Sequence, residues 1–142
     1  TSVASILRVG PGEAYPDPGA AAKAAKDGDT IEIMAGVYDG GIAVWKRNNL
    51  TLRGMGAVEI RAGGKNARGM GIWVISGDNA QVENIAFSGA RVRDKNGAGI
   101  RLIGANLLVR NCRFIDNENG ILAGRTKKNK GDSEIVIEDS QF

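Results

Sequence analysis

Val82-Glu83-Asn84-Ile85-Ala86-Phe87, Val109-Arg110-Asn111-Cys112-Arg113-Phe114 and Ile137-Glu138-Asp139-Ser140-Gln141-Phe142 are three copies of one pattern: apolar, charged, Asn or Asp, small or apolar, variable, Phe. The copies start 27 and then 28 residues apart. Recurrence at a fixed period of this size marks a chain that winds in coils, each stacked on the one before. A second row reads Gly, Ile, variable, apolar: Gly41-Ile42-Ala43-Val44, Gly71-Ile72-Trp73-Val74, Gly99-Ile100-Arg101-Leu102 and Gly120-Ile121-Leu122-Ala123. Its isoleucines lie 30, 28 and 21 residues apart, so the loops joining equivalent strands differ in length.

Inside the coils the residues alternate. Leu50, Leu52, Val82, Leu107, Val109, Ile135 and Ile137 fall on one side, with Arg53, Glu83, Arg110 and Glu138 on the other. Period two over four or five residues predicts short strands, not helix. Three strands per coil follow: the Gly-Ile strand, the strand of Leu50, Leu107 and Ile135, and the stub ending in Phe. Asn84, Asn111 and Asp139 occupy one point of successive coils, where a left-handed turn residue is needed and where stacked amides can bond along the axis.

These motifs resemble the right-handed parallel β-helix of the pectate-lyase-like superfamily. Asp29-Thr30-Ile31-Glu32-Ile33 followed by Ala35-Gly36-Val37-Tyr38 is similar to the opening coil of those domains. The resemblance covers the chain from about Ile6 to Phe142. It implies an all-β solenoid of about four to five coils (residues 29–142) in one domain, behind an N-terminal cap (about 1–28). Asp17-Pro18 before an alanine-rich run predicts a short helix, with Asp as N-cap, Pro in the first turn and Gly28 as its stop; the resemblance lays this helix across the open end of the stack. The last repeat ends on Phe142 with no cap following it. The expectation is a truncated chain, or a second copy covering that end as a homo-oligomer, with Ile137 and Phe142 in the interface.

Composition narrows the chemistry. At 142 residues the chain is 42% hydrophobic but only 5% aromatic, which predicts aliphatic core columns. It has no histidine and a single cysteine, so the commonest general base is missing and neither a zinc set nor a disulfide within the chain can be assembled. Lys127, Lys128 and Lys130 cluster without interleaved aromatics and read as a solvated loop, so no nucleic-acid partner is expected. No apolar stretch is long enough to span a membrane, and no membrane partner is expected. The resemblance implies a bacterial periplasmic or extracellular setting.

Members of the superfamily bind substrate on the outer face of the Gly-Ile strand. If Ile42, Ile72, Ile100 and Ile121 point inward, then Trp45, Trp73, Ile75, Arg101, Ile103 and Leu122 point outward. Such a face has one charge and no carboxylate, so the family's Ca²⁺-assisted lyase chemistry lacks its ligands there; Ca²⁺ is expected only if the chain is a lyase. The apolar patch reads as covered by a loop, as a protein interface (Ile75, Ile103, Leu122), or as a sugar platform in which Trp45, Trp73 and Arg101 meet an acidic polysaccharide. Arg91 and Arg93, in the charged loop Ser88–Ala98, are further candidates for a polyanion. Asp116–Asn119 reads as a polar turn, in which the spacing of Asp116 and Glu118 would put both on one side of an extended segment, where they could act as a carboxylate pair. The leading expectation is a non-catalytic, carbohydrate-associated module that self-associates. The alternative is an acidic-polysaccharide lyase, or a fragment of one.

Overall fold

The computed structural model describes residues 3–124 and 133–142; Lys127, Lys128 and Lys130 lie outside them. The elements are β1 (Ile6–Val9), α1 (Pro18–Ala24), β2 (Thr30–Asp39), β3 (Ala43–Trp45), β4 (Thr51–Arg61), β5 (Gly71–Ile75), β6 (Ala80–Glu83), β7 (Ala86–Ser88), β8 (Ala98–Leu102), β9 (Leu107–Arg110), β10 (Arg113–Ile115), β11 (Asn119–Ala123) and β12 (Ile135–Glu138). Among the described residues, every ladder between named strands is parallel. One sheet runs β1-β2-β4-β6-β9-β12, and the second runs β11-β8-β5-β3. The long strand β4 pairs β6 with its first half and β7 with its second, and β10 continues from β7. The molecule is therefore mostly β, built of parallel sheets with one short helix, an arrangement compatible with a stack of coils.

The columns follow from the alternation. Leu7, Ile31, Leu52, Val82, Val109 and Ile137 stand in one register across the first sheet. The four central members are fully buried, and each contributes about 1.5–3 kcal/mol of burial. One residue on, on the opposite face, stand Arg8, Glu32, Arg53, Glu83, Arg110 and Glu138. Their signs alternate without a break. Arg8 pairs with Glu32 at 3.2 Å, Arg53 with Glu83 at 3.0 Å, and Arg110 with Glu138 at 3.0 Å. These pairs are half-exposed, each worth about 0.2–1 kcal/mol, and they favour the native register because a one-residue slip would carry the charges into the core.

The recurring Phe and Asn also line up. Phe87 and Phe114 stack at 5.4 Å, and Phe114 and Phe142 at 4.7 Å. Asn84, Asn111 and Asp139 all have left-handed backbones (φ 58°, 53° and 50°), and Asn111 Nδ2 donates to Asn84 Oδ1 at 3.0 Å. A second column was not anticipated: Asn49, Asn79 and Asn106 are likewise left-handed, and Asn106 Nδ2 donates to Asn79 Oδ1 at 2.9 Å.

Near the N-terminus, α1 packs against β3 and β1. Asp17 is the N-cap of α1 and its Oδ1 accepts from the Ala20 amide at 2.9 Å. The helix stops at Ala24, short of the expected Gly28, because Ala25 turns extended and is buried in the core. Buried Asp29 then holds the following turn, accepting from the amides of Ser5 and Lys26, both at 2.8 Å.

The second sheet corrects the reading of the Gly-Ile row. Ala43, Trp73, Ile100 and Ile121 share one register, and Trp45, Ile75, Leu102 and Ala123 another. Ile42 and Ile72 therefore stand one residue out of step with Ile100 and Ile121. A one-residue offset moves a side chain to the other face, so Trp45, Trp73 and Ile75 point inward and are fully buried. Trp73 is fixed there by its Nε1, which donates to Gly41 O at 3.0 Å, and by edge-on contacts with Trp45 (5.2 Å) and Phe87 (5.0 Å).

Candidate functional site

The outer face of the second sheet is thus not a tryptophan platform. Its middle row is Val44, Val74, Arg101 and Leu122. Val74 and neighbouring Ile72 are fully buried although they lie on the face opposite Trp73, so this part of the face is covered. Ile103 and Leu122 are half-buried. Arg101 is the one expected outward residue with polar chemistry that stays on this face; its Nε is buried with no hydrogen-bond partner. Of the other expected interface residues, Ile137 and Phe142 are exposed, at 45% and 66%.

Arg91 is engaged with its own chain. It donates to Asp116 O at 2.6 Å and Asp116 Oδ1 at 2.7 Å. Glu118 Oε1 accepts from the amides of Val92 (2.8 Å) and Gly97 (2.9 Å), and Asn117 Oδ1 from that of Ala90 (2.9 Å). The turn Asp116–Glu118 is therefore a clamp for the charged loop. The Asp116 carboxylate faces the Arg91 guanidinium and that of Glu118 faces backbone amides, so the two do not form a carboxylate pair. Arg93 is exposed on that loop. Among the described residues no three Cys, Asp or Glu side chains converge as a metal cage, and no helix is long and apolar enough to cross a membrane.

The structure brings together a different set. A cleft of about 1180 Å³ opens between α1, β3 and the segment Asn66–Arg68. Ile42, Val44 and Ala20 line its apolar part; Lys23, Lys46, Arg47 and Arg68 supply its charge. None of these four cations pairs with a carboxylate among the described residues. The carboxylate that lines the cleft, Asp17, is occupied as the helix cap. Four cations against one carboxylate leave an excess of three, as large as the net charge of +3 on the whole chain. This local basic excess stands beside apolar walls, which strengthen its field.

Backbone geometry places Arg68 deliberately. Arg68 (φ 53°) and Gly69 (φ 67°) are the centre of a tight turn closed by Met70 N donating to Ala67 O at 2.9 Å. Both central residues are left-handed, a geometry that favours Asn-Gly; an arginine there is strained. Ala67 bridges Gly71 (Ala67 N to Gly71 O, 2.7 Å), tying the turn to β5. These cleft residues are 20 or more positions apart in the chain, Lys23 to Lys46 to Arg68, so no local motif announced them. Comparison with protein-family models, curated proteins and solved structures gave no match for this chain.

Proposed function

We propose that this chain is a non-catalytic binding module, wound as a right-handed parallel β-helix, which holds an anionic partner in the cleft beside α1. The three parallel registers, recurring in the order β2–β3, β4–β5, β6–β7–β8 and β9–β10–β11, support the winding, and a right-handed crossover is the rule for parallel connections. The observation that carries the binding role is a set of four cations, none paired with a carboxylate among the described residues, around an apolar-walled cleft. Catalysis by proton abstraction needs a base and an acid facing the ligand. The cleft offers cations, Tyr15, and one carboxylate that already caps a helix.

The test is equilibrium binding to a panel of polyanions (polygalacturonate, heparin, polyglutamate), with ultraviolet absorbance followed for unsaturated sugar. Binding should weaken as salt rises and be lost when Lys46 and Arg47 are both changed to Glu, with no growth in absorbance. Undiminished binding by the double variant would sink the cleft. Unsaturated product from any polyuronate would sink the non-catalytic reading.

A further inference from the structure

We infer that the partner of this cleft is a small organic molecule carrying two phosphoryl groups. This rests on the reading of the cleft as a binding site and narrows the anion it takes. On one side α1 closes it: the helix packs against β3, so closely that a Cβ on Gly19 would stand 3.0 Å from the Ile42 carbonyl oxygen. Across the sheet, Val44 pairs with Val74, which is fully buried and uncharged. Along the stack the cations stop. Ser76 and Gly77 both donate to Trp45 O, and Ile103 and Gly104 both donate to Ile75 O. The places of Lys46 and Arg47 are therefore taken by Ser76 and Gly77 in the next layer, and by Ile103 and Gly104 in the one after. Lys26, one layer the other way, lies outside the cleft. Layers are about 4.8 Å apart, so a long polyanion laid along the stack would run off its cations within a residue or two. The basic group fits a compact anion.

Charge sets the chemical class. Lys23, Lys46, Arg47 and Arg68 against Asp17 leave an excess of three positive charges. A phosphoryl group carries about −1.5 to −2 at pH 7, so two of them on one molecule match that excess. Lysine serves phosphate as a point charge, and the arginine fork bonds it through two N–H groups at once. Ile42, Val44 and Ala20 line the apolar wall and receive the carbon skeleton. Tyr15 is the only aromatic ring in the lining, so no pair of rings is there to hold a base. Arg68 adds an independent observation. Its left-handed backbone (φ 53°) is strained, and strain of this kind clusters at ligand-binding positions.

The probes are a hexose bisphosphate, the matching hexose monophosphate and citrate, each titrated calorimetrically into the full chain at low salt. The bisphosphate should bind about tenfold or more tighter than the monophosphate, the scale of one lost contact to a charged group, and tighter than citrate. Arg68→Gly keeps the left-handed turn, since glycine adopts it without strain, and removes only the cation. Arg68→Gly and Arg47→Glu should each weaken bisphosphate binding about tenfold. Arg93→Glu, the same charge change as Arg47→Glu but outside the cleft, should alter it less than about twofold, as expected for a screened distant charge. Equal affinity for the bisphosphate and the monophosphate, or tighter binding of citrate, would overturn the assignment of two phosphoryl groups. Cleft-dependent binding of polygalacturonate or heparin without binding of the bisphosphate would overturn the compact ligand while leaving the cleft a binding site. No cleft-dependent binding of any of these anions at low salt would overturn both.

Discussion

Replacing Gly104 with Ala should unfold this protein at markedly lower denaturant, and the reason is space alone. Gly104 follows β8 and sits over Gly77, which follows β5 and sits over Arg47. Ile103 N and Gly104 N both donate to Ile75 O (2.8 and 3.2 Å), as Ser76 N and Gly77 N do to Trp45 O one layer earlier (2.9 and 3.2 Å). Neither glycine has a left-handed backbone. A Cβ on Gly104 would instead overlap the carbonyl oxygen of Gly77, far inside the 3.0 Å that Cβ contacts respect. Relief requires the two layers to part by about 1 Å beyond the usual strand spacing of about 4.8 Å. That stretches both bonds to Ile75 O, at about 0.5–1.5 kcal/mol each, on top of about 1–3 kcal/mol for overpacking. The expected loss is about 2–6 kcal/mol out of a typical total of about 5–15 kcal/mol. With a urea slope of about 2 kcal/mol/M, the midpoint followed by far-ultraviolet circular dichroism should fall by about 1–3 M. Gly124, with nothing among the described residues within 4 Å of an added Cβ, is the control, and its Ala variant should stay within about 0.5 kcal/mol of the parent. A Gly104→Ala loss below about 1 kcal/mol, with an unchanged slope, would show that the layers do not approach as described and would refute the in-register stacking.

Three further outcomes follow from the same geometry. Both tryptophans of the chain are fully buried, so native emission should be blue-shifted and resist iodide, whereas an outward Trp73 would be quenched. Asn111→Ala should cost about 1–3 kcal/mol, through the lost bond to Asn84 and a left-handed Ala, and Asn111→Gly should cost less because glycine accepts that backbone; equal losses in thermal or urea melts would remove the backbone part of the argument. Burial raises the Cys112 thiol from its ordinary 9.0 to about 11, so the native state holds its proton where the unfolded chain has released it. The associated stability is whole below pH 9 and is lost as pH rises toward about 11, by an amount on the order of 2–3 kcal/mol. Alkylation of the thiol at pH 8 should likewise require unfolding; rapid labelling of the native protein would contradict the burial.

The columns of the first sheet were legible before any coordinates. Val82, Val109 and Ile137 pair in register, and the left-handed Asn84 and Asn111 bond to one another as their spacing implied. The Gly-Ile row misled because its glycines are not equivalent: Gly71 pairs with Ala98, not with Gly99. A sequence motif records which residues recur, but hydrogen-bond register decides which face each one takes. For Trp45, Trp73 and Ile75 that register reversed an outward assignment into a core one. Arg91 stood out as a candidate for a polyanion and Asp116 and Glu118 as a separate carboxylate pair; that Asp116 pairs with Arg91 and Glu118 holds the Val92 amide depends on two loops meeting across 25 or more residues.

Local repetition, by itself, determined that this chain forms short parallel-stacking strands with aliphatic columns, a capped helix before them and left-handed Asn turns, because alternation and turn chemistry act over a few neighbouring residues. The cleft was decided only by tertiary structure. Lys23, Lys46, Arg47 and Arg68 share no spacing, and they converge because α1 folds over the edge of β3 while the Ala67–Gly71 bridge swings a strained arginine toward it. Charge acts through space, and only the folded chain sets the distances over which it acts.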